Sequence, residues 1–127
     1  MGEIVPLVEY MGRALMSTPY SAGVVAAQAI LKGGTAAQKE ALLPALAGGA
    51  LAVLANCEDH ADWNMENIAC TAEAKGDKLL LSGTKYLVPH AGEAAHILVT
   101  VMYQGAPALV IVERGLIDDA RLRREKI

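Results

Sequence analysis

Phenylalanine is absent from this sequence, and aromatic residues make up only 4% of it. The core must therefore be built from Leu, Val, Ile, Ala and Met. Cysteine is also scarce: Cys57 and Cys70 alone do not make a disulfide framework, which favours a reducing, cytoplasmic location. The N-terminus lacks the charged-then-apolar pattern of a secretory signal.

The sequence has neither a basic stripe nor a long apolar run. The net charge is −3, and no Lys/Arg stripe with interleaved aromatics supports binding to nucleic acid. The basic cluster at residues 121–126 is typical of a solvated tail. The longest apolar stretch, residues 41–55, is broken by proline and glycine and is shorter than the ~20 residues of a membrane span. What is present, 54% apolar and 20% charged residues, is the composition of a globular domain.

The N-terminal part of the chain has the apolar periodicity of three helices. The first helix is predicted over residues 4–15. Thr18 is the predicted N-cap of the second helix, with Pro19 as its first residue. This second helix carries Val25 and Leu31 among its apolar positions and ends at a pair of glycines.

The third helix has the clearest boundary signals. Thr35 at the N-cap and Gln38 three residues later form the pattern of a capping box. Gly48 and Gly49 allow a left-handed C-cap at little cost. After these glycines the period of the apolar pattern changes.

The second part of the chain alternates as β-strands do, with turn residues such as Gly76 and Gly105 between the runs. The predicted strands are residues 67–74, 79–81, 86–88, 96–102 and 108–112.

Helices followed by strands is the order of an α+β protein. The sequence therefore predicts three N-terminal helices followed by an antiparallel, incomplete β-barrel or sheet. Residues 1–50 are expected to be a helical segment, and residues 51–127 a partial β-domain. Because this arrangement leaves strand edges exposed, we expect the chain to be a piece of a larger protein.

Polar residues crowd the loop that follows residue 56. Cys57 and His60 have the spacing of metal ligands, and His90 and His96 could complete a zinc site. The alternative is a polar loop of caps and turns. The acidic neighbours of Cys57 argue against a nucleophilic thiolate.

Three motifs resemble the acyl-CoA dehydrogenase family. Residues 34–49 read G-T-x-x-Q-K-x-x-L-L-P-x-L-A-x-G, which is similar to the family pattern G-[ST]-x-x-Q-K-x-x-x-L-P-x-L-A-x-G. Residues 8–19 resemble E-x-x-G-R-x-L-x-x-x-P, and residues 81–88, L-S-G-T-K-Y-L-V, resemble L-N-G-x-K-x-W-I. The resemblance covers nearly the whole chain in the family's order.

This resemblance implies an oxidoreductase of fatty-acid or lipid metabolism. Family members have an N-terminal helical domain, a middle β-domain and a C-terminal helical bundle, with FAD between the last two. A glutamate removes the α-proton of an acyl-CoA while the flavin takes the β-hydride, and an electron-transfer flavoprotein or another acceptor reoxidises the flavin. This chain would hold the end of the helical domain and the first part of the β-domain, within a homo- or hetero-oligomer. The usual catalytic base then lies outside this sequence, so the chain alone is expected to be inactive.

The resemblance also implies a flavin site at two segments. Residues 57–64 stand where the family has a T-E-P-x-A-G-S-D loop around the flavin, and residues 87–89 stand where it has a stacking tryptophan and a hydrogen-bonding threonine. The expected FAD-contacting residues are Cys57, Glu58, Trp63, Asn64, Leu87, Val88 and Pro89.

These positions depart from the family pattern in their hydrogen-bond donors. Cys57 replaces a hydroxyl donor, and Pro89 has neither a hydroxyl nor a backbone N–H. Leu87 replaces the stacking tryptophan, and Trp63 replaces a small serine; a lone tryptophan is more often a packing residue than a stacking platform. The alternative function is therefore a non-catalytic structural or partner-subunit module without bound flavin.

Overall fold

The structure is a computed structural model that describes residue 2, residues 4–59 and residues 64–122. The class is α+β, as the sequence predicts: three helices precede all the strands. The helices are α1 (Ile4–Arg13), α2 (Tyr20–Gly33) and α3 (Ala36–Ala47). The strands are β1 (Ala52–Ala55), β2 (Thr71–Lys75), β3 (Lys78–Ser82), β4 (His96–Tyr103) and β5 (Ala106–Glu113).

The sheet is mixed rather than wholly antiparallel. Along one edge of β4, β5 pairs antiparallel over its full length. Along the other edge, β1 and then β2 pair parallel to β4. The antiparallel prediction holds for the two hairpins, β2–β3 and β4–β5, whose turns are short. Within the described residues β1, β3 and β5 each pair with one strand, so the sheet does not close.

The boundaries of α3 follow from its capping residues. The Thr35 hydroxyl accepts a hydrogen bond from the Gln38 N–H, and the Gln38 side chain accepts one from the Thr35 N–H, which confirms the capping box. At the other end Gly49 is left-handed, with φ +105°. The N–H of Ala50 reaches the carbonyl of Ala45 over 3.0 Å, the pattern of a Schellman cap.

The second helix begins at Tyr20, one residue later than predicted. Pro19 precedes the helix, and its carbonyl accepts the first helical hydrogen bond from Gly23. Thr18 nevertheless contributes to the helix start, because its hydroxyl accepts a 3.3 Å hydrogen bond from the Tyr20 N–H.

The core lies between α2 and the sheet. Ala26 and Ile30 of α2 are buried against Ala52 of β1 and Leu98 of β4. The two helix residues are four apart and so lie on one face of α2. Val25 and Leu31, which the sequence predicted on the apolar face, are exposed instead.

One predicted strand starts later than expected, and another is wrong, both for identifiable reasons. The amides of Ala69 and Cys70 are bonded to a side chain, Glu58, so the pairing of β2 with β3 starts only at Thr71. Residues 86–88 form no strand, because Leu87 has φ +52°, outside the extended region.

The first helix leaves its apolar side chains accessible, and none of its residues is buried. Together with the segment leading to Tyr20 it forms an open, apolar groove of about 450 Å³, lined by Leu7, Tyr10 and Met16 among others. None of the described helices is long and apolar enough to cross a bilayer.

Candidate functional site

The loop after β1 and the loop after β3 meet at the carboxyl end of β1. The backbone N–H of Tyr86 donates a 2.9 Å hydrogen bond to the carbonyl of Cys57. This bond links the start of one segment that the sequence predicted to contact flavin, residues 57–64, to the residue that precedes the other, residues 87–89. The two segments are about 30 positions apart in the chain, so the fold, and not local sequence, brings them together.

Glu58 lies under this junction and is buried. One carboxylate oxygen accepts hydrogen bonds from the Lys85 ammonium over 2.6 Å and from the Cys70 N–H over 3.1 Å. The other oxygen accepts from the Ala69 N–H over 2.8 Å. Burial alone raises the pKa of Glu58, but the ammonium and the two amides outweigh it and lower the pKa from 4.5 to about 2.

Lys85 connects this carboxylate to the centre of the sheet. Its ammonium also donates to the Thr100 hydroxyl over 2.8 Å, and that hydroxyl donates to the Ala55 carbonyl over 3.4 Å. The side chains of Glu58 and Lys85 are only 8% and 7% exposed. The resulting network ties β1 and β4 to both loops.

Leu87 has the most unusual conformation in the region. Its φ is +52°, a left-handed value that a branched residue adopts at a cost of about 1–2 kcal/mol. Its side chain is 84% exposed. The neighbouring Val88 packs inward against a buried cluster that includes Val53 and Ile97. Leu87 thus has an exposed apolar side chain. Its backbone is held on one side by the Tyr86–Cys57 hydrogen bond and on the other by the packing of Val88.

The remaining predicted positions contribute less to this junction. Pro89 is exposed and starts a turn in which His90 is also left-handed, with φ +57°. The Asn64 side chain accepts a hydrogen bond from the Glu66 N–H and caps a short helical turn. Trp63 and His60 lie outside the described residues.

The described residues bring no three of the His, Cys, Asp and Glu side chains together as a metal site. His90 lies 3.5 Å from Glu93, and Cys57 donates weakly to the Glu58 carbonyl. Cys70 is buried beside Glu58, and burial, followed by that carboxylate, raises the pKa of its thiol. Neither thiol is therefore placed among metal-binding side chains.

A flavin ring needs an apolar contact for its face and hydrogen-bond donors for its polar edge. Leu87 is an exposed apolar side chain at this junction. Of the two positions where the family pattern has hydroxyl donors, Pro89 has no N–H and Cys57 has a thiol, which is a weak donor. The Glu58 carboxylate is occupied by internal bonds. The described residues fit the face of a flavin better than its polar edge.

Sequence reasoning missed Lys85 and Thr100 as partners of Glu58. Lys85 was visible as part of the motif at residues 81–88, but nothing in the sequence pairs it with a carboxylate 27 positions earlier. Thr100 was visible as a polar residue in the middle of an apolar strand. A buried polar side chain needs a partner, and that signal could have marked it.

Solved acyl-CoA dehydrogenase structures share this fold. A variant of the Tcur3481–Tcur3483 steroid ACAD is 35% identical and matches 84% of this chain and 29% of that chain, with a TM-score of 0.72. An acyl-CoA dehydrogenase from Geobacillus kaustophilus is 28% identical over 67% of this chain and 24% of that chain, with a TM-score of 0.61. The ChsE4-ChsE5 complex from Mycobacterium tuberculosis shares the fold at 23% identity over 83% of this chain and 28% of that chain, with a TM-score of 0.69.

The chain thus spans less than a third of the length of each of these proteins. No protein-family model matches the sequence, and no curated protein matches it.

Proposed function

Because this chain shares the fold of acyl-CoA dehydrogenases over less than a third of their length, we propose that it forms one wall of a flavin site in an enzyme that oxidises acyl-CoA thioesters. The supporting observation is the junction of the two loops, where Leu87 presents an exposed apolar side chain next to the Cys57–Tyr86 hydrogen bond. A flavin bound there would supply the hydride acceptor. The chain would supply apolar contact from Leu87 and a fixed backbone at Cys57.

The proposal divides the chain as the sequence analysis does. Residues 1–50 would be the end of a helical domain and residues 51–127 the first part of a β-domain. The catalytic base and the rest of the flavin site would come from segments that correspond to the remaining length of the related structures. The chain alone would then be inactive.

The apolar groove of α1 supports an acyl group as the substrate's apolar part. Tyr20 lines the groove at the start of α2. Two residues on, Ala22 packs on the same cluster as Val88, next to Leu87. The groove and the candidate flavin wall are thus connected through one buried cluster, which is compatible with an acyl chain in the groove. The relative described as a steroid ACAD makes a bulky polycyclic acyl group one candidate.

Titration with FAD of the whole protein, in which this chain is joined to the segments that complete the flavin site, tests the proposal. We expect the flavin absorbance bands to shift on binding and the shift to be lost in Leu87→Asp. The matched control is Leu116→Asp, since Leu116 is similarly exposed, at 78%, and lies outside the site. A whole protein that leaves the flavin spectrum unchanged, or one in which Leu87→Asp binds FAD as tightly as Leu116→Asp, would contradict the proposal.

The second candidate is a non-catalytic module without flavin. The observation that favours it is the use of Glu58 in internal bonds, together with the lack of a donor at Pro89. This module would stay colourless after incubation with FAD and would contribute stability to an active partner subunit.

Partners and location follow from the same proposal. An acyl-CoA would be the substrate, and an electron-transfer flavoprotein or a similar acceptor would take the electrons. A homo- or hetero-oligomer would cover the open strand edges, and sedimentation of the chain over a range of concentrations would measure this. Two free cysteines are compatible with a cytoplasmic location.

A further inference from the structure

Two consecutive residues of one loop are bonded to two consecutive residues of the other. Tyr86 binds Cys57 through the backbone, and Lys85 binds Glu58 through an ion pair of 2.6 Å. We propose that Glu58 and Lys85 are positioning residues: without touching a ligand, they fix Cys57 and Leu87 relative to each other. The claim that this geometry serves flavin binding rests on the proposed function. The claim that Glu58 and Lys85 fix the two loops relative to each other does not.

The geometry of the pair supports positioning more than stability. A buried ion pair is often no more stable than apolar residues of the same volume, because both charges lose their hydration. Each charge here is held by further directional bonds, Glu58 by the Ala69 and Cys70 amides and Lys85 by the Thr100 hydroxyl. Because hydrogen bonds are directional, these bonds define one arrangement of the two loops. Apolar side chains packed at the same place would not define a single arrangement.

The conformation of Leu87 gives an independent argument. A left-handed backbone at a non-glycine residue persists only where the surrounding structure holds it. Val88 is fixed on one side by packing in the core cluster. On the other side Lys85 is fixed by its ion pair. Without that anchor, the segment could relax to a less strained path and turn the Leu87 side chain away.

The two cysteines provide an internal probe of this arrangement. Cys57 is half-buried at the junction, and Cys70 is buried with its N–H on Glu58. Loss of the ion pair should let both loops open and make both thiols more reactive. This readout needs no flavin.

The test compares Lys85→Met with Lys85→Arg and with the control Lys78→Met, since Lys78 is an exposed lysine of the neighbouring hairpin. Thiol labelling is measured under native conditions where circular dichroism shows each variant to be folded. We expect Lys85→Met to speed labelling of Cys57 and Cys70 by about tenfold or more, while Lys85→Arg restores most of the protection and Lys78→Met changes nothing. In FAD titrations, Lys85→Met should weaken affinity by about tenfold with Lys85→Arg close to the unmodified chain.

A double variant keeps the test decisive if Lys85→Met does not fold. Glu58→Gln with Lys85→Met removes both charges but keeps a side-chain oxygen that can accept from the buried Cys70 N–H, which should preserve folding while the ion pair is lost. We expect thiol protection and FAD affinity to fall in this variant although its unfolding free energy is retained. A folded double variant with unchanged labelling rates would overturn the inference. If no variant binds FAD, the proposed function fails, but the labelling rates still decide whether Glu58 and Lys85 position the loops.

Discussion

Gly83 lies so close to Cys70 that a Cβ atom on Gly83 would stand 2.4 Å from the Cys70 Sγ and 2.9 Å from its Cα. The backbone of Gly83 has φ +136°, a conformation that side chains rarely adopt. Both facts require glycine at this position. Gly83 ends the hairpin that starts after Cys70, so the close approach sets the path of the chain toward Lys85.

The substitution Gly83→Ala should destabilise the fold by about 3 kcal/mol, since backbone strain and a clash with Cys70 add together. Gly76→Ala is the matched control. Gly76 also has positive φ, +65°, but a Cβ there meets nothing within 4 Å, so we expect a loss of about 1 kcal/mol. Urea unfolding of the two variants measures the difference, and equal losses would show that the contact with Cys70 is unimportant.

Leu15 and Leu87 offer a second matched pair. Both are exposed leucines with left-handed backbones, φ +49° and +52°, and both should gain about 1 kcal/mol of stability on substitution by glycine. Leu15→Gly should leave FAD binding unchanged, whereas Leu87→Gly should weaken it because the apolar contact is lost. Thermal unfolding and FAD titration check the two effects separately. Equal FAD affinities in both variants would remove Leu87 from the proposed flavin wall.

The helices could be predicted from sequence because their signals are local. Thr35 and Gln38 are three positions apart and determine the start of α3 by bonding to each other. The buried face of α2 could not be predicted in the same way. Ala26 and Ile30 are buried because the sheet packs there, while Val25, which is larger than Ala26, remains exposed. The hydrophobicity of a helix does not show which of its faces will pack against a strand that is distant in the sequence.

The capping box of α3 should be measurable on its own. Thr35→Ala removes the hydroxyl that accepts from the Gln38 N–H, and it should lower the free energy of unfolding by about 1 kcal/mol. Thr35→Ser keeps the acceptor and serves as the control, with little change expected. Urea unfolding followed by circular dichroism makes the comparison, and equal losses in the two variants would show that the hydroxyl bond does not stabilise α3.

The candidate site was only partly visible in the sequence. The motif resemblance indicated Cys57 and Leu87 as neighbours of one ligand, and the fold places their loops together. It gave no sign that Leu87 would be left-handed, because that conformation depends on anchors at Lys85 and Val88. Nor did it reveal that the Glu58 carboxylate is bonded internally rather than free for a ligand. Contacts between residues far apart in the sequence determine both the left-handed backbone of Leu87 and the internal bonding of the Glu58 carboxylate.

Pro89 allows a direct test of the register between this chain and the flavin motif. Pro89→Thr introduces the hydroxyl and the N–H that proline lacks, and one or two new donors should tighten FAD binding by about tenfold. Pro107→Thr is the control, because Pro107 is exposed on β5, away from the junction. An unchanged FAD affinity in Pro89→Thr would indicate that residue 89 does not face the flavin.

The Glu58 carboxyl should make the stability of the fold depend on acidity. Its pKa is lowered in the folded state from 4.5 to about 2, so the carboxylate stabilises the fold above pH 4.5. That contribution is lost as the pH falls from 4.5 toward about 2, where the folded protein also takes up the proton. Glu58→Gln cannot titrate and should show a flatter dependence in this window, with lower stability at neutral pH because Lys85 is left buried without a counter-charge. Urea unfolding at a series of pH values measures both curves. If the two curves stay parallel between pH 4.5 and about 2, another carboxyl controls the acid response.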